Sequence, residues 1–382
     1  MINGIIIFLF ALAPFFDPVG ANFGIRWISI TLMFFLFLNI EVLKIKFNTY
    51  QFLILIFICF VIPIHGLLIS FIYGGLISKT FLDTSYIAFS LLFLASIPLI
   101  INLKNYNIFY RSVLKISMAT CALSILIFIN LFGVEQLENF LTERSIAIIA
   151  ERGMMGINIE MIYFLSAPLF FIPLAYYANK SISIKSKIIY ILIPFLALLL
   201  TGTRSHILLG IMYVAWMTPN IILKSDKAEN IFVLKSIIFL LSISLAIIFI
   251  DFDLFFKFLE APKRVALMSY YGDVFNNPLT LLFGQGFNAI SWDYDLLTWT
   301  GGASKLELTY LEYIRVFGII SFLIFIGLYL YLLISLLKNK NYIELHFLLL
   351  TLINSSINPY LFSINGIVPL VLALGKVNTN ER

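Results

Sequence analysis

The sequence predicts an all-α polytopic membrane protein, a single integral membrane domain over residues 1–382, and three observations carry that prediction. The first is composition: of 382 residues, 61% are hydrophobic and only 12% charged, and the mean hydropathy is +1.02. Soluble domains are nearer half apolar and a quarter charged, and even large ones leave much of their surface in water. The second is the recurrence of apolar runs of the length that crosses a bilayer, roughly 20 residues at about 1.5 Å each for a core near 30 Å thick. The third is that basic residues gather between alternate runs, as membrane insertion requires. The same composition excludes an intrinsically disordered chain and a coiled coil. A net charge of +5 fits loop charges that set orientation rather than a nucleic-acid partner.

By the length rule the spans fall near 2–16, 21–40, 51–73, 84–102, 112–132, 158–178, 188–201, 206–223, 231–250, 308–337, 343–356 and 361–376. That is about 12 transmembrane helices. The first has no basic n-region and no small-residue cleavage site before Asp17 and Pro18, so it reads as half of a helical hairpin rather than a signal peptide. With the N-terminus inside, the inside segments hold Lys44, Lys46, Lys104, Arg111, Lys115, Lys180, Lys185 and Lys187, followed by Lys224, Lys227, Lys235, Lys338, Lys340, Lys376 and Arg382. These are fifteen of the 25 Lys and Arg residues. Such alternation places both termini inside.

Two outside loops are long, 133–156 and 251–307, the latter lying between helices 9 and 10. Within it 254–260 (LFFKFLE) is a short apolar stretch with one lysine, suited to lying in the interface, and Pro262 ends it. No phosphate-cradling GxxxxGK[ST] occurs, and the inside loops are too short for a nucleotide-binding fold. Cys59 and Cys121 lie inside apolar runs and read as small buried hydrophobes, with no disulfide framework or metal site. The Asp-x-Asp pairs at 251/253 and 293/295 lack an obvious third ligand, so no metal is expected.

A charge within lipid costs several kcal/mol unless it is paired or faces water, which makes the charges that loops do not explain informative. They lie toward the outside: Arg204 in a tight turn between two spans, Arg264 in the large loop, and Glu307, Glu312 and Arg315 at the start of the tenth span. Arg204 either snorkels to headgroups or serves a site. Glu312 and Arg315, three apart, pair on one helix face, as a structural pair or a catalytic one. His206 is either a base near Arg204 or a residue that points away from it. His65, two residues after Pro63, reads as a hydrogen-bonded packing residue at a kink. Tyr294, Trp292 and Trp299 either stack on sugars or anchor the interface.

Three segments resemble one family pattern, that of bacterial O-antigen polymerases and O-antigen ligases. TGTRSHILLGIMYVAW (201–216) resembles a Thr-x-Ser-Arg segment, with Thr203 in place of Ser. RVALMSYYGDVFNNPLTLLFGQGFN (264–288) resembles a loop signature of arginine, aromatics, proline and Gly-x-Gly-Phe, carried here by Arg264, Tyr270, Tyr271, Pro278, Gly284, Gly286 and Phe287. ELTYLEYIRVFGIISFLIF (307–325) resembles a closing helix in which Glu307, Leu311 and Gly318 keep the family spacing. The match covers roughly 190–337. The Ser-Gly that often precedes the arginine is missing. The His-Asn of the ligase pattern is replaced by Glu307-Leu308, which favours the polymerase branch.

The resemblance implies a GT-C-like, metal-independent glycosyltransferase without cofactors, in the bacterial inner membrane with cytoplasmic termini and 251–307 as a periplasmic loop carrying part of the active site. It would polymerise undecaprenyl-pyrophosphate-linked oligosaccharide repeats, with a chain-length regulator protein as a further partner. Glu307, Arg204 and Arg264 are the implied catalytic residues, and Arg315, Tyr310, Gly286 and His206 the implied substrate-binding ones. Arginine suits the pyrophosphate because its planar fork binds such oxygens bidentately and stays cationic. Glu307 suits a base because partial desolvation favours the protonated carboxyl, against which a nearby arginine acts. A ligase acting on lipid A core and a 12-span transporter of the lipid-linked repeat are the alternatives. The outward clustering of polar residues disfavours the transporter, whose sites usually lie near mid-bilayer.

Overall fold

Among the described residues the apolar runs of the sequence are helices, except at one place where a run begins as a strand. A computed structural model describes residues 2–16, 24–39, 49–72, 93–99, 103–128, 134–143, 146–154, 157–201, 203–222, 271–272, 274–286, 309–356 and 364–377. In chain order these form α1 (Ile2–Phe16), α2 (Ile25–Asn39), α3 (Thr49–Ile72), α4 (93–99), α5 (Leu103–Phe128), α6 (Val134–Glu143), β1 (Ala147–Met154) and β2 (Ile157–Phe164). They continue as α7 (Phe171–Asn179), α8 (Ile184–Thr201), α9 (Arg204–Ile222), α10 (Pro278–Phe283), α11 (Thr309–Lys338), α12 (Tyr342–Ser355) and α13 (Ile364–Val377). Among the described residues, three helices are long and apolar enough to cross a membrane: Thr49–Ile72, Asn105–Leu126 and Thr309–Lys338. The ninth expected span, 231–250, and the interfacial stretch 254–260 lie outside the described residues.

Large apolar side chains face outward as well as inward, as expected if lipid is the solvent. On α3 the exposed side chains include Phe52, Leu53, Phe60, Ile64, Leu68 and Phe71, whereas Gln51, Gly66 and Ser70 are on the buried face. Water would not tolerate so continuous an apolar stripe. In lipid, small and polar residues are the ones that gain by facing other helices. A π-helical turn at Phe57–Val61 interrupts α3 just ahead of Pro63 and His65.

The chain divides into two compact units, Met1–Leu36 with Asn102–Phe256, and Phe37–Ile101 with Lys257–Arg382. In the first, α5 packs against α1, α7 and α8, and α8 packs against α7 and α9. Every residue from Ser166 to Ala178 is buried, so the segment of a 3-10 turn (Ala167–Phe170) followed by α7 is the core of this unit. Ser166 Oγ donates to the Pro14 carbonyl at 2.5 Å, and Phe15 stacks on Phe170 with ring centroids 5.1 Å apart.

The sixth expected span, 158–178, is corrected here. Its first part is β2, paired antiparallel with β1 from Ala147↔Phe164 to Met154↔Ile157. The physical reason is a period of two: Ile157, Ile159, Met161 and Tyr163 alternate with Asn158 and Glu160, a pattern that suits a pleated strand rather than a helix face. Ile162 and Phe164, which continue the row of Asn158 and Glu160, are buried. The helix that follows has nine residues, about 13 Å at 1.5 Å per residue, too short to cross a bilayer alone. The fifth expected span, 112–132, also shifts, because α5 starts at Leu103. Asn107, Arg111, Lys115 and Met118 form one exposed stripe there, so the basic residues ride on the helix instead of preceding it.

In the second unit α13 is the core: residues Asn365 to Gly375 are all buried, and α11 and α12 pack on it. Its last carbonyls are satisfied by side chains, Gln51 Nε2 donating to Leu374 O at 2.8 Å and Asn341 Nδ2 to Lys376 O at 3.1 Å. The buried glutamine in the first turn of α3 is thereby explained as a helix cap. α11 is expected to run unbroken over 308–337 but is broken at Gly318, where φ is 78° and ψ 165°.

Candidate functional site

The break in α11 organises the site in the second unit. A helix end leaves its last carbonyls without partners, and in lipid each such group costs several kcal/mol. Three of them are satisfied by two other segments. Gln285 N–H donates to Arg315 O at 2.7 Å and Gly286 N–H to Val316 O at 3.0 Å. The His65 imidazole completes the set, with Nε2 2.9 Å from Phe283 O and 3.1 Å from Phe317 O. Two carbonyl partners make Nε2 the protonated nitrogen. Across the break Tyr313 and Ser321 hydroxyls bond at 3.0 Å.

The sequence of the loop dictates its part. Asn277 caps the short helix α10, its side chain accepting from Leu279 N–H at 3.0 Å, and Pro278 takes the first helical position. Gly284 ends the helix at φ 84°, ψ −178°, a region only glycine occupies readily. A Cβ on Gly284 would overlap the Val316 carbonyl, one on Gly318 the Leu282 carbonyl, and one on Gly286 the backbone of Ser70. The glycines of two separate motifs are therefore in contact, backbone against backbone.

Beneath this lock lies a charged network. Arg315 donates from Nε to Glu312 Oε2 at 2.7 Å and from Nη2 to Glu312 Oε1 at 2.6 Å, a bidentate pair whose side chains are 2% and 5% exposed. Arg315 Nη1 reaches Gln285 Oε1 at 3.2 Å, and the Tyr271 hydroxyl donates to Glu312 Oε2 at 3.3 Å. Tyr271 and Gln285 are also buried, and Phe275 stacks on Tyr271. Removing one partner of a buried pair costs about 3–5 kcal/mol, because the other charge is left without compensation. Arg315 and Glu312 thus hold 271–286 against the start of α11.

The expected site residues are distributed as follows. Glu307 and Arg264 lie outside the described residues, as do Tyr270, Phe287, Trp292, Tyr294, Trp299 and the Asp-x-Asp pairs. Gly286 and Arg315 are together in the lock. Tyr310 turns to the next helix, its hydroxyl donating to Leu352 O at 2.6 Å. Arg204 is the first residue of α9 in the other unit. There His206 is fully buried, and its Nδ1 accepts the Thr203 N–H at 2.9 Å. Thr203 and His206 stand at the cap and third positions, so the imidazole does what Glu or Gln does in a capping box. With Nδ1 engaged as an acceptor, the neutral ring carries its proton on Nε2. That is the tautomer of a helix cap, and the pairing explains Thr203-x-x-His206 without a catalytic base.

Sequence reasoning missed Gln285 and His65 as members of the site. The available signals were a lone amide between two glycines and an imidazole after a proline in an apolar span. Among the described residues no three His, Cys, Asp or Glu side chains converge on a metal-sized position. Comparison of the chain with protein-family models, with curated proteins and with solved structures found no match.

Proposed function

We propose that this protein is a membrane glycosyltransferase that polymerises undecaprenyl-pyrophosphate-linked oligosaccharide repeats at the outer face of the bacterial inner membrane, within a GT-C-like set of helices. The observation that carries the reading is the lock itself. The two segments that resemble the polymerase signatures in this unit, 264–288 and 307–325, are joined through Gly284, Gly286, Gly318 and the Gln285–Arg315–Glu312–Tyr271 network. Buried polar networks of this kind hold geometry for a neighbouring reaction centre. Glu307 lies two residues ahead of α11, next in sequence to a rigidly held element.

In this reading a hydroxyl of the acceptor repeat attacks the anomeric carbon of the donor glycan. Glu307 takes the hydroxyl proton, the new glycosidic bond forms, and the bond from that carbon to the pyrophosphate oxygen breaks. Undecaprenyl pyrophosphate leaves with the electron pair. The guanidinium of Arg264 is the candidate partner for the charge that builds on the phosphate oxygens, since fixed donors aimed at developing charge contribute most to such catalysis. Arg204 is the candidate of the other unit and is tested separately. Arg315 is a positioning residue, because its guanidinium is engaged by Glu312 and Gln285.

The test is chain length of the surface glycan in cells that depend on this protein. Glu307→Gln and Arg264→Ala, each present in the membrane at normal level, should reduce the polymer to core carrying one repeat, and Arg204→Ala should do the same. A normal ladder from all three variants refutes the assignment. Loss of even the single repeat would point to the transporter alternative instead.

A further inference from the structure

The first unit carries a second cluster, unrelated to the lock, where α5 begins, α7 ends and α8 begins. Tyr176 is its centre. The hydroxyl donates to Asn107 Oδ1 at 2.8 Å and accepts from Lys180 Nζ at 3.0 Å. Its ring stacks on Tyr110 at 4.3 Å and meets Tyr177 edge-on at 5.0 Å, and Tyr177 in turn packs on Tyr190 at 4.8 Å. Lys180 Nζ lies 4.9 Å from the Tyr176 ring centroid and 5.9 Å from that of Tyr177. Arg111 is one helical turn beyond Asn107 on the exposed stripe of α5, the helix that meets Tyr176 through the Asn107 hydrogen bond and the Tyr110 ring. Two cations from neighbouring segments therefore flank the aromatic cluster, half-buried Lys180 over its rings and exposed Arg111 one helical turn from the asparagine that holds the Tyr176 hydroxyl.

The helices that form this cluster carry no counter-charge of their own. Residues 103–128 and 165–222 contain Lys104, Arg111, Lys115, Lys180, Lys185, Lys187 and Arg204 and no Asp or Glu. Among the described residues neither Arg111 nor Lys180 pairs with a carboxylate; the buried pair of the other unit does not involve them. The acids in this unit's described segments, Glu135, Glu138 and Glu143 of α6, Glu151 of β1 and Glu160 of β2, all lie in the stretch of chain between the far end of the 26-residue helix α5 and the start of α7. Tyrosines with polar tips and apolar rings, beside cations and lipid-facing Ile188 and Ile189, are the chemistry of the headgroup layer. Basic pockets between membrane helices recruit phosphate headgroups by that combination.

We propose that Arg111 and Lys180, framed by Tyr176, Tyr177 and Tyr190, form a binding site for the phosphate of an anionic phospholipid in the adjacent leaflet. The lipid phosphodiester supplies the anion that the helices lack, and its acyl chains lie along Ile188 and Ile189. The proposal does not rest on the polymerase reading, and glycan chain length does not enter its test.

The full-length protein is reconstituted in phosphatidylcholine nanodiscs, with or without phosphatidylglycerol, and retained lipid is counted by native mass spectrometry alongside thermal melting. The wild type should retain phosphatidylglycerol in preference to phosphatidylcholine and melt higher in its presence. Arg111→Gln and Lys180→Gln should lose that retention severalfold while melting as the wild type does in phosphatidylcholine alone. Lys185→Gln, an exposed lysine of the same end, should keep it. Equal loss in Lys185→Gln would show unspecific attraction and overturn the site, as would unchanged retention in Arg111→Gln and Lys180→Gln. A variant that melts lower in phosphatidylcholine is replaced by Arg111→Lys or Lys180→Arg, which should restore retention. Stabilisation by inorganic phosphate in phosphatidylcholine discs, equal to that by phosphatidylglycerol, would assign the site to a soluble phosphate and overturn the lipid.

Discussion

Replacing Gly318 by alanine tests the lock most directly. Gly318 sits at φ 78°, ψ 165°, and placing an L-residue in that region costs about 1–3 kcal/mol. The added methyl would also overlap the Leu282 carbonyl and the Phe283 nitrogen. Backbone offers no flexible end to move, so a further cost of about 1–3 kcal/mol from overpacking follows. The sum is about 2–6 kcal/mol; at about 2–4 °C per kcal/mol for a unit of 150–250 residues, the melting temperature should fall by at least about 4 °C. Gly327→Ala is the matched control. It lies on the same helix, is exposed, and nothing stands within 4 Å of its would-be Cβ. Alanine there should be neutral or stabilising by up to about 1 kcal/mol. Thermal melting of both variants in the same detergent decides the matter. If Gly318→Ala melts no lower than Gly327→Ala, the contact between the glycines of α11 and the loop is wrong.

The other predictions concern the network and the cap. Glu312→Leu and Arg315→Met should each destabilise by about 3–5 kcal/mol, while the double variant carrying both should recover much of that loss, giving a large coupling in a double-mutant cycle. Tyr271→Phe removes one hydrogen bond to that carboxylate and should cost about 1 kcal/mol in the same melting assay. His65→Phe keeps a ring but loses the donor to Phe283 O and Phe317 O, and should cost about 1–3 kcal/mol. His206→Gln preserves the cap acceptor and should leave both stability and glycan chain length near wild type, whereas His206→Ala should lose about 1 kcal/mol; loss of polymer in a stable His206→Gln would restore the base reading.

Helix placement was legible from hydropathy to within a few residues where a run is helical throughout. The expected 2–16 is Ile2–Phe16, 343–356 is Tyr342–Ser355, and 206–223 is Arg204–Ile222. It failed where composition and conformation part company. Residues 158–164 are apolar enough to extend a span, yet their alternation around Asn158 and Glu160 makes a strand, and averaging over a span-length window erases a period of two. The start of α5 was missed for the opposite reason, since Arg111 and Lys115 depress the average although they line only one face. For the site, the residues with the right chemistry stood out because charge is rare in this chain. Their partners did not, because an amide such as Gln285 or an imidazole such as His65 carries no signal until the carbonyl it serves is known.

The amino-acid sequence by itself determined the solvent, the helical character and the few charged positions at which chemistry is worth seeking. Those properties follow from side-chain transfer energies, which are local and additive along a chain. Only the tertiary structure decided that α11 breaks at Gly318, that Gly284 and Gly286 fill the gap, and that Arg315 is a brace for the loop. A carbonyl freed by a broken helix must find a donor, and which donor it finds depends on segments that are distant in sequence and adjacent in the unit.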